Sequence, residues 1–290
     1  MNLLYITFGS RINIHYQANF SLLSFLKESQ HIDSITVITD APAFYGRLAP
    51  HVRLIVIDDK TLTEWRGPHD FLWRIKLKAL GLLAEQLGEK PIVYLDTDTF
   101  LFGQAAEFKN LLGTNALMHE NEGTLPSLKT KTERRTWQQL QGKSFGGVTI
   151  SAKHRMWNAG VVAIPGNRNA QAIALALALC DAMCEEPVRR RLVEQLALSV
   201  ALDETYSMVA AENWVGHYWG NKAEWNDAIA HFFLDHFLKG SSFEHEIESI
   251  KSFDFHGIPL RKRRSRMHGH WVRLADKLYP FRDVVHLKRS

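Results

Sequence analysis

Cysteine is scarce in this 290-residue sequence and occurs only at Cys180 and Cys184. The two positions are four residues apart on a predicted helix, a spacing that is poor for a disulfide bond. We therefore expect buried, reduced thiols in a reducing compartment rather than a disulfide-stabilised secreted domain.

Long hydrophobic runs are also missing. The longest, AIALALALCDAMC, is shorter than the roughly 20 residues that a bilayer requires and contains Asp181. The N-terminal MNLLYITFGSRIN has no basic stretch before its short apolar run, so no signal peptide is predicted. We expect a cytoplasmic protein, with peripheral contact to the inner face of a membrane as a further option.

Charge is unevenly distributed along the chain. Residues 257–290 contain ten Lys or Arg against Asp276 and Asp283, a net charge of +8. Because the whole chain carries +4, residues 1–256 carry about −4. The dense basic cluster Arg261 to Arg273, interleaved with aromatic residues, is of a kind that contacts anionic lipid head groups, a phosphorylated saccharide or nucleic acid, and a solvated tail is the alternative. Peripheral membrane contact is the functional interpretation that we prefer. No nucleic-acid partner is expected.

Strand-like and helix-like segments alternate from the first residue. NLLYITF, SITVITD, VRLIVID and PIVYLDTD are nearly continuously apolar, and the segments between them include a helical one, FLWRIKLKALGLLAEQLG, that ends at Gly88. This pattern predicts an α/β fold with a mostly parallel central sheet flanked by helices. We expect one catalytic domain at residues 1–256 and a helical, basic C-terminal extension at residues 257–290.

Two carboxylates, Asp96 and Asp98, follow the fourth predicted strand. Ligands of open α/β sheets bind beyond the carboxyl ends of the strands, and residues two apart in an extended segment face one side. Unpaired carboxylates would be costly in a core, whereas a hard divalent cation prefers oxygen ligands. The pair is therefore a candidate cation site, although a solvated turn would explain it as well.

Two later motifs agree with such a site. In MWNAGVVAIP, Asn158 and Gly160 precede a strand, where small residues let a ligand approach the backbone. In VGHYWGNKAEW, His217, Gly220 and Lys222 offer a third metal ligand, a tight turn and an ammonium for a phosphate. Each motif alone also fits an ordinary structural role.

Taken together, the motifs LDTD, WNAGV, VEQL and HYWGNKAEW, in this order, resemble the nucleotide-sugar glycosyltransferases of the GT-A fold, especially the glycogenin-like and lipooligosaccharide galactosyltransferase-like family 8. The resemblance covers about residues 3–225. This chain differs from the family pattern in that Lys222 comes one residue early, Pro is missing before Trp225, and Glu194 replaces Asp before Gln195.

The resemblance implies a role for each matching position. Asp96, Asp98 and His217 would bind Mn²⁺ or Mg²⁺, which would bridge the diphosphate of a nucleotide-sugar donor, with a UDP-sugar favoured. Further residues would contact the donor nucleotide: Thr7, Gly9, Asp40, Arg74, Lys78, Gly220 and Lys222. The catalytic candidates around the sugar are Asn158, Glu194 and Gln195. Retention of the anomeric configuration follows from the resemblance alone; an inverting enzyme would need a general base, for which Asp203 and Glu212 are candidates.

The acceptor is expected to be a saccharide or a lipid-linked glycan. Residues 118–155 form a polar insertion between the second and third motifs, and long insertions at the ligand edge of a sheet are commonly functional. We predict that this insertion contributes to the acceptor wall.

Two other classes of protein are alternatives. Haloacid dehalogenase-type phosphatases also carry D-x-D after a hydrophobic strand, but the position four residues after their first Asp is Thr or Val, whereas here it is Phe100. A non-catalytic nucleotide-sugar binder would share the metal and nucleotide contacts, and only turnover would distinguish it from an enzyme.

Overall fold

A computed structural model describes residues 1–262. The predicted cluster of basic residues lies outside these described residues from position 263 onward, as does most of the predicted C-terminal extension.

The regular elements of residues 1–262 follow the alternation that the sequence predicts. The strands are β1 (Asn2–Thr7), β2 (Ser34–Thr39), β3 (Arg53–Val56), β4 (Ile92–Leu95), β5 (Thr99–Leu101), β6 (Asn115–Met118), β7 (Asn121–Thr124), β8 (Ser144–Phe145), β9 (Val148–Thr149), β10 (Arg155–Trp157), β11 (Val161–Ile164), β12 (Ser207–Ala210) and β13 (Val215–His217). The α-helices are α1 (Ile12–Leu26), α2 (Asp59–Arg66), α3 (Arg74–Leu87), α4 (Ala105–Leu112), α5 (Lys131–Leu140), α6 (Asn169–Cys184), α7 (Val193–Thr205), α8 (Lys222–Leu238) and α9 (Phe243–Lys251). Short 3₁₀ turns cover Ser29–His31, Pro42–Leu48, Leu125–Ser127 and Arg190–Leu192.

Seven strands form the central sheet, in the order β12-β6-β11-β4-β1-β2-β3. Within this sheet β11 runs antiparallel to both of its neighbours, β4 and β6, whereas the remaining pairings are parallel. The α/β class with a mostly parallel sheet is therefore confirmed, and the layout is consistent with a GT-A-like fold. The reversed direction of β11 has a consequence for the site, because it brings the start of β11 to the carboxyl end of β4.

Apolar side chains fill the space on both faces of the sheet. β1 and β4 are buried along their whole length, which explains their nearly continuous apolar sequences. One core cluster lies between the sheet and helices α3, α6 and α7, and a second contains buried residues of α1 and α4. Cys180 and Cys184 are buried free thiols in the first cluster, as predicted.

A smaller aromatic cluster packs α8 against β5. Trp225 of α8 and Phe100 of β5 are buried and stacked with ring centroids 4.6 Å apart, and Tyr218 stacks on Trp225 at 5.0 Å. This cluster fixes α8 and the loop before it against β5.

No helix within residues 1–262 combines the length and the apolar character that crossing a bilayer requires.

Candidate active site

The three predicted metal ligands come together at the carboxyl end of β4. Asp96 and Asp98 lie in the turn between β4 and β5, and His217 ends β13, which pairs antiparallel with β5 so that His217 is opposite Thr99. One ligand atom from each of Asp96, Asp98 and His217 lies within 4.8 Å of the others. The β5–β13 pairing thus explains how a residue 119 positions later in the chain joins the D-x-D turn.

Hydrogen bonds orient His217 for metal binding. Its Nδ1 lies 3.1 Å from Oδ1 of Asn158, an oxygen that also accepts the backbone N–H of Gly160 at 3.0 Å. Because Oδ1 can only accept, Nδ1 of His217 is the donor, and this hydrogen bond turns Nε2 toward the two carboxylates. Nε2 lies 3.5 Å from Oδ2 of Asp98 and 4.0 Å from Oδ2 of Asp96, the arrangement that a cation ligated by all three would use.

Asp98 is buried and ionised. Burial alone would raise its pKa, but the imidazole of His217 and the ammonium of Lys222 more than offset that effect, so the pKa of Asp98 lies below its ordinary value. Nζ of Lys222 is 2.9 Å from Oδ2 of Asp98, yet this contact is not an aligned hydrogen bond and Oδ2 has no hydrogen-bond partner among the described residues. A buried carboxylate oxygen without such a partner, next to an available imidazole nitrogen, fits a divalent cation.

Asp96 is held by a buried lysine of α3, Lys76. The Tyr94 hydroxyl donates to Oδ1 of Asp96 at 2.7 Å, and Nζ of Lys76 lies 3.6 Å from the same oxygen. Lys76 also lies 2.9 Å from Oε1 of Glu194 and donates to the carbonyl of Ala159 at 3.0 Å. Burial raises the pKa of Glu194, and the charge of Lys76 partly counteracts it. Lys76 therefore links the D-x-D turn, β11 and α7.

The catalytic candidates border the same cleft, which has a volume of about 580 Å³, within the range of small-molecule sites. Asn158, Glu194 and Gln195 all line it, together with the three candidate metal ligands and Lys222. Glu122 also lines it and accepts hydrogen bonds from Gln195 Nε2 at 3.0 Å and from Asn158 Nδ2 at 3.4 Å. Glu122 and Glu133 come from the 118–155 insertion, so this insertion does contribute to the cleft wall.

Several predicted nucleotide contacts lie elsewhere. Thr7 is buried and hydrogen-bonded to Thr39 and Tyr45, and it is Ile6 and Phe8, the residues on either side of it, that line the cleft. Gly9 donates its backbone N–H to both carboxylate oxygens of Asp40 at 3.0 Å. The N–H of Gly9 and the carboxylate of Asp40 are therefore hydrogen-bonded to each other. Contacts of either residue with a nucleotide stay predictions.

The three basic residues of α3, Arg74, Lys76 and Lys78, lie in three different environments. Arg74 donates to Asp181 on α6 at 2.6 and 2.9 Å, and Lys78 lines a separate groove between α3 and α6. The side chain of Lys76 points to the cleft instead. Gly220 pairs with Arg261 in an isolated bridge, where a Cβ would come 2.9 Å from Cγ of Arg261. A side chain at position 220 would therefore displace this part of the chain.

The general-base candidates named from the sequence do not line the cleft. Asp203 lies on α7 and Glu212 in the connection between β12 and β13, and neither borders the site. The insertion instead places two carboxylates, Glu122 and Glu133, at the cleft, and no motif in the sequence marks Glu122.

Comparison with models of known protein families finds no match, and a search of curated proteins finds no significant similarity. Among solved structures, the crystal structure of mouse xyloside xylosyltransferase 1 in its apo form matches with 14% sequence identity and a TM-score of 0.44, over 72% of this chain and 85% of that chain. At this identity and score the likeness is too weak to carry a functional inference. The site and the sheet define the class at a coarser level: an α/β protein with a candidate Asp-Asp-His metal site at the carboxyl edge of its sheet.

Proposed function

We propose that the protein is a metal-dependent glycosyltransferase that moves a sugar from a nucleotide-diphosphate donor to a saccharide or lipid-linked acceptor. The observation that carries the proposal is the cluster of Asp96, Asp98 and His217, with Nε2 of His217 free to bind a cation. A UDP-sugar donor, membership of family 8 and retention of the anomeric configuration are supported by the order of the sequence motifs. A cytoplasmic location is supported by the two buried free thiols, Cys180 and Cys184, which suit a reducing compartment.

The charged and polar residues of the cleft would have different roles in the reaction. Asp96, Asp98 and His217 would hold Mn²⁺ or Mg²⁺, and the ion when bound supplies a positive charge that stabilises the departing diphosphate. The side chain of Lys222 is half exposed, so its ammonium can move from Asp98 to form an ion pair with a phosphate oxygen. Asn158 fixes the imidazole, and Lys76 fixes the carboxylate of Asp96.

The sugar would lie between the metal cluster and Gln195. Glu194 is buried beside Lys76, so its carboxylate acts mainly on the charge and position of that lysine. Gln195 lines the cleft and its amide is anchored by Glu122, which leaves the amide oxygen available to the sugar. The mechanism requires these groups to be in place before the donor binds, and their mutual hydrogen bonds provide that preorganisation.

The proposal is tested by calorimetric titration of UDP, GDP, CMP and dTDP with and without Mn²⁺. We expect one nucleotide to bind only with the metal, and Asp98→Asn to abolish that binding while keeping the volume of the side chain. Asp235→Ala is the matched control because it removes a carboxylate of α8 outside the cleft. Absence of metal-dependent binding in the wild type would reject the transferase, and phosphatase substrates would then be tested.

A further inference from the structure

Two tryptophans border the cleft with much of their surface open to solvent. Trp73, just before α3, and Trp219, in the loop before α8, are each 47% exposed, and both line the cleft. Leu72 beside Trp73 is 40% exposed and lines it too. Exposed indole rings at a cleft wall offer a flat apolar surface with a polar edge.

The chain after α9 holds Trp219 in position. The guanidinium of Arg261 lies 4.9 Å from the Trp219 ring centroid and forms an ion pair with Glu120 of the insertion. The backbone N–H of Lys262 donates to the carbonyl of Gly220 at 3.3 Å, next to this indole. A ring fixed on protein neighbours loses little entropy when a ligand packs against it.

Glu122 adds a hydrogen-bond acceptor to the same cleft. One of its oxygens accepts from Gln195 and the other from Asn158, so the orientation of the carboxylate is set from both sides. A carboxylate has about four lone-pair sites, and two amide donors leave sites for hydroxyl groups of a ligand. Hydrogen bonds to an ionised acceptor are roughly twice as strong as neutral ones.

We propose that the part of the acceptor bound in this cleft is a saccharide, whose apolar C–H groups pack on Trp73 and Trp219 and one of whose hydroxyls donates to Glu122. A pyranose presents this combination of an apolar ring face and a rim of hydroxyls. A hydrocarbon chain does not, because it would desolvate Glu122 and Glu133 without hydrogen-bonding them. The inference rests on the proposed function, which itself leaves a saccharide and a lipid-linked acceptor open.

Saturation-transfer NMR tests the inference directly. The full chain, with Mg²⁺ and UDP present, is titrated with a panel of methyl pyranosides and disaccharides of common hexoses, pentoses and N-acetylhexosamines, and with a short-chain alkyl phosphate. We expect saturation of aromatic protons to reach the ring C–H protons of at least one saccharide. Trp73→Ala and Trp219→Ala should weaken its binding at least fivefold, and Glu122→Gln should weaken it while C–H contact persists.

Phe237→Ala is the matched control, since Phe237 is an aromatic residue that is 77% exposed at the end of α8, outside the cleft. Equal saccharide binding by the wild type and all three cleft variants, binding of the alkyl phosphate alone, or no saccharide binding by the wild type would each overturn the inference. Calorimetric binding of UDP with Mg²⁺, measured on the same samples, separates the two proposals. If it persists while saccharide binding is insensitive to the tryptophans, only the acceptor assignment fails; if neither UDP nor GDP, CMP or dTDP binds with the divalent metal, the proposed function fails.

Discussion

Asn158 accepts a hydrogen bond from Nδ1 of His217 at 3.1 Å. Because Asn158 lies just before β11, the start of this strand sets the orientation of His217, the third candidate metal ligand. The same amide oxygen accepts the N–H of Gly160, and its Nδ2 faces Glu122. One side chain therefore connects the metal side of the cleft to the insertion side. Partners of a ligating imidazole fix its tautomer and its ring orientation.

Replacing Asn158 should weaken metal binding. For Asn158→Ala we expect Mn²⁺ affinity to fall about 10- to 100-fold, the usual loss when the hydrogen-bond partner of a ligand is removed. Titration of Mn²⁺ followed by electron paramagnetic resonance measures this without any substrate. Asn115→Ala serves as the control because Asn115 begins β6 at the opposite edge of the sheet, where its side chain donates to Leu111 and Thr114. Equal affinities in both variants would show that Asn158 does not position the ligand.

Gly160 is required by its contact with His217. A Cβ at this position would overlap the imidazole ring, although the backbone angles of Gly160 are open to any residue. We therefore expect Gly160→Ala to displace the imidazole, with a loss of stability of about 1–3 kcal/mol, typical of overpacking, and a loss of metal binding. Gly46→Ala, where an added Cβ meets nothing within 4 Å, should change neither. Thermal unfolding and Mn²⁺ titration of the two variants decide the point.

The grouping of Asp96, Asp98 and His217 was predictable from the sequence because all three residues belong to local motifs. Asp96 and Asp98 follow a strand whose apolar composition marks it as buried, and His217 stands in a recognisable loop. β1 to β4 were predictable for the same reason. The antiparallel direction of β11 was not, since it depends on the path of residues 118–155 rather than on the composition of the strand.

The burial of Lys76 is marked by its position on helix α3. Arg74 and Lys78 share a helix face at i and i+4, a spacing that made both candidates for contact with the donor. Lys76, however, lies on the stripe of α3 that includes Leu80 and Leu83, which are buried, and a lysine on an apolar stripe indicates a buried partner. Glu122 had no comparable signal, because its position depends on the pairing of β7 with β10.

Removing the charge of Lys76 should destabilise the fold. Lys76→Met leaves Glu194 buried beside Asp96 without its cation, and breaking a buried ion pair in this way costs about 3–5 kcal/mol. Lys78→Met, on the same helix but away from the cleft, should cost less than about 0.5 kcal/mol. Urea unfolding of both variants gives the comparison. The double variant Lys76→Met with Glu194→Leu should recover part of the loss, and a single variant as stable as the wild type would exclude the ion pair as a structural element.

The ionised carboxylate of Glu122 should lower the stability of the folded protein at neutral pH. Burial among protein atoms, with Glu120 and Glu133 nearby, raises the pKa of Glu122 despite the hydrogen bonds from Asn158 and Gln195. A carboxyl whose pKa is higher in the folded than in the unfolded chain destabilises the fold above its folded pKa, and this penalty disappears as the pH falls below the unfolded value of about 4.3. We therefore expect Glu122→Gln to be more stable than the wild type at pH 7, with the difference shrinking toward pH 4. Thermal unfolding of both proteins across that range, in EDTA, measures it, with Glu248→Gln on the exposed face of α9 as the control. A stability difference that stays constant with pH would mean that the carboxylate of Glu122 is as well solvated in the cleft as in the unfolded chain.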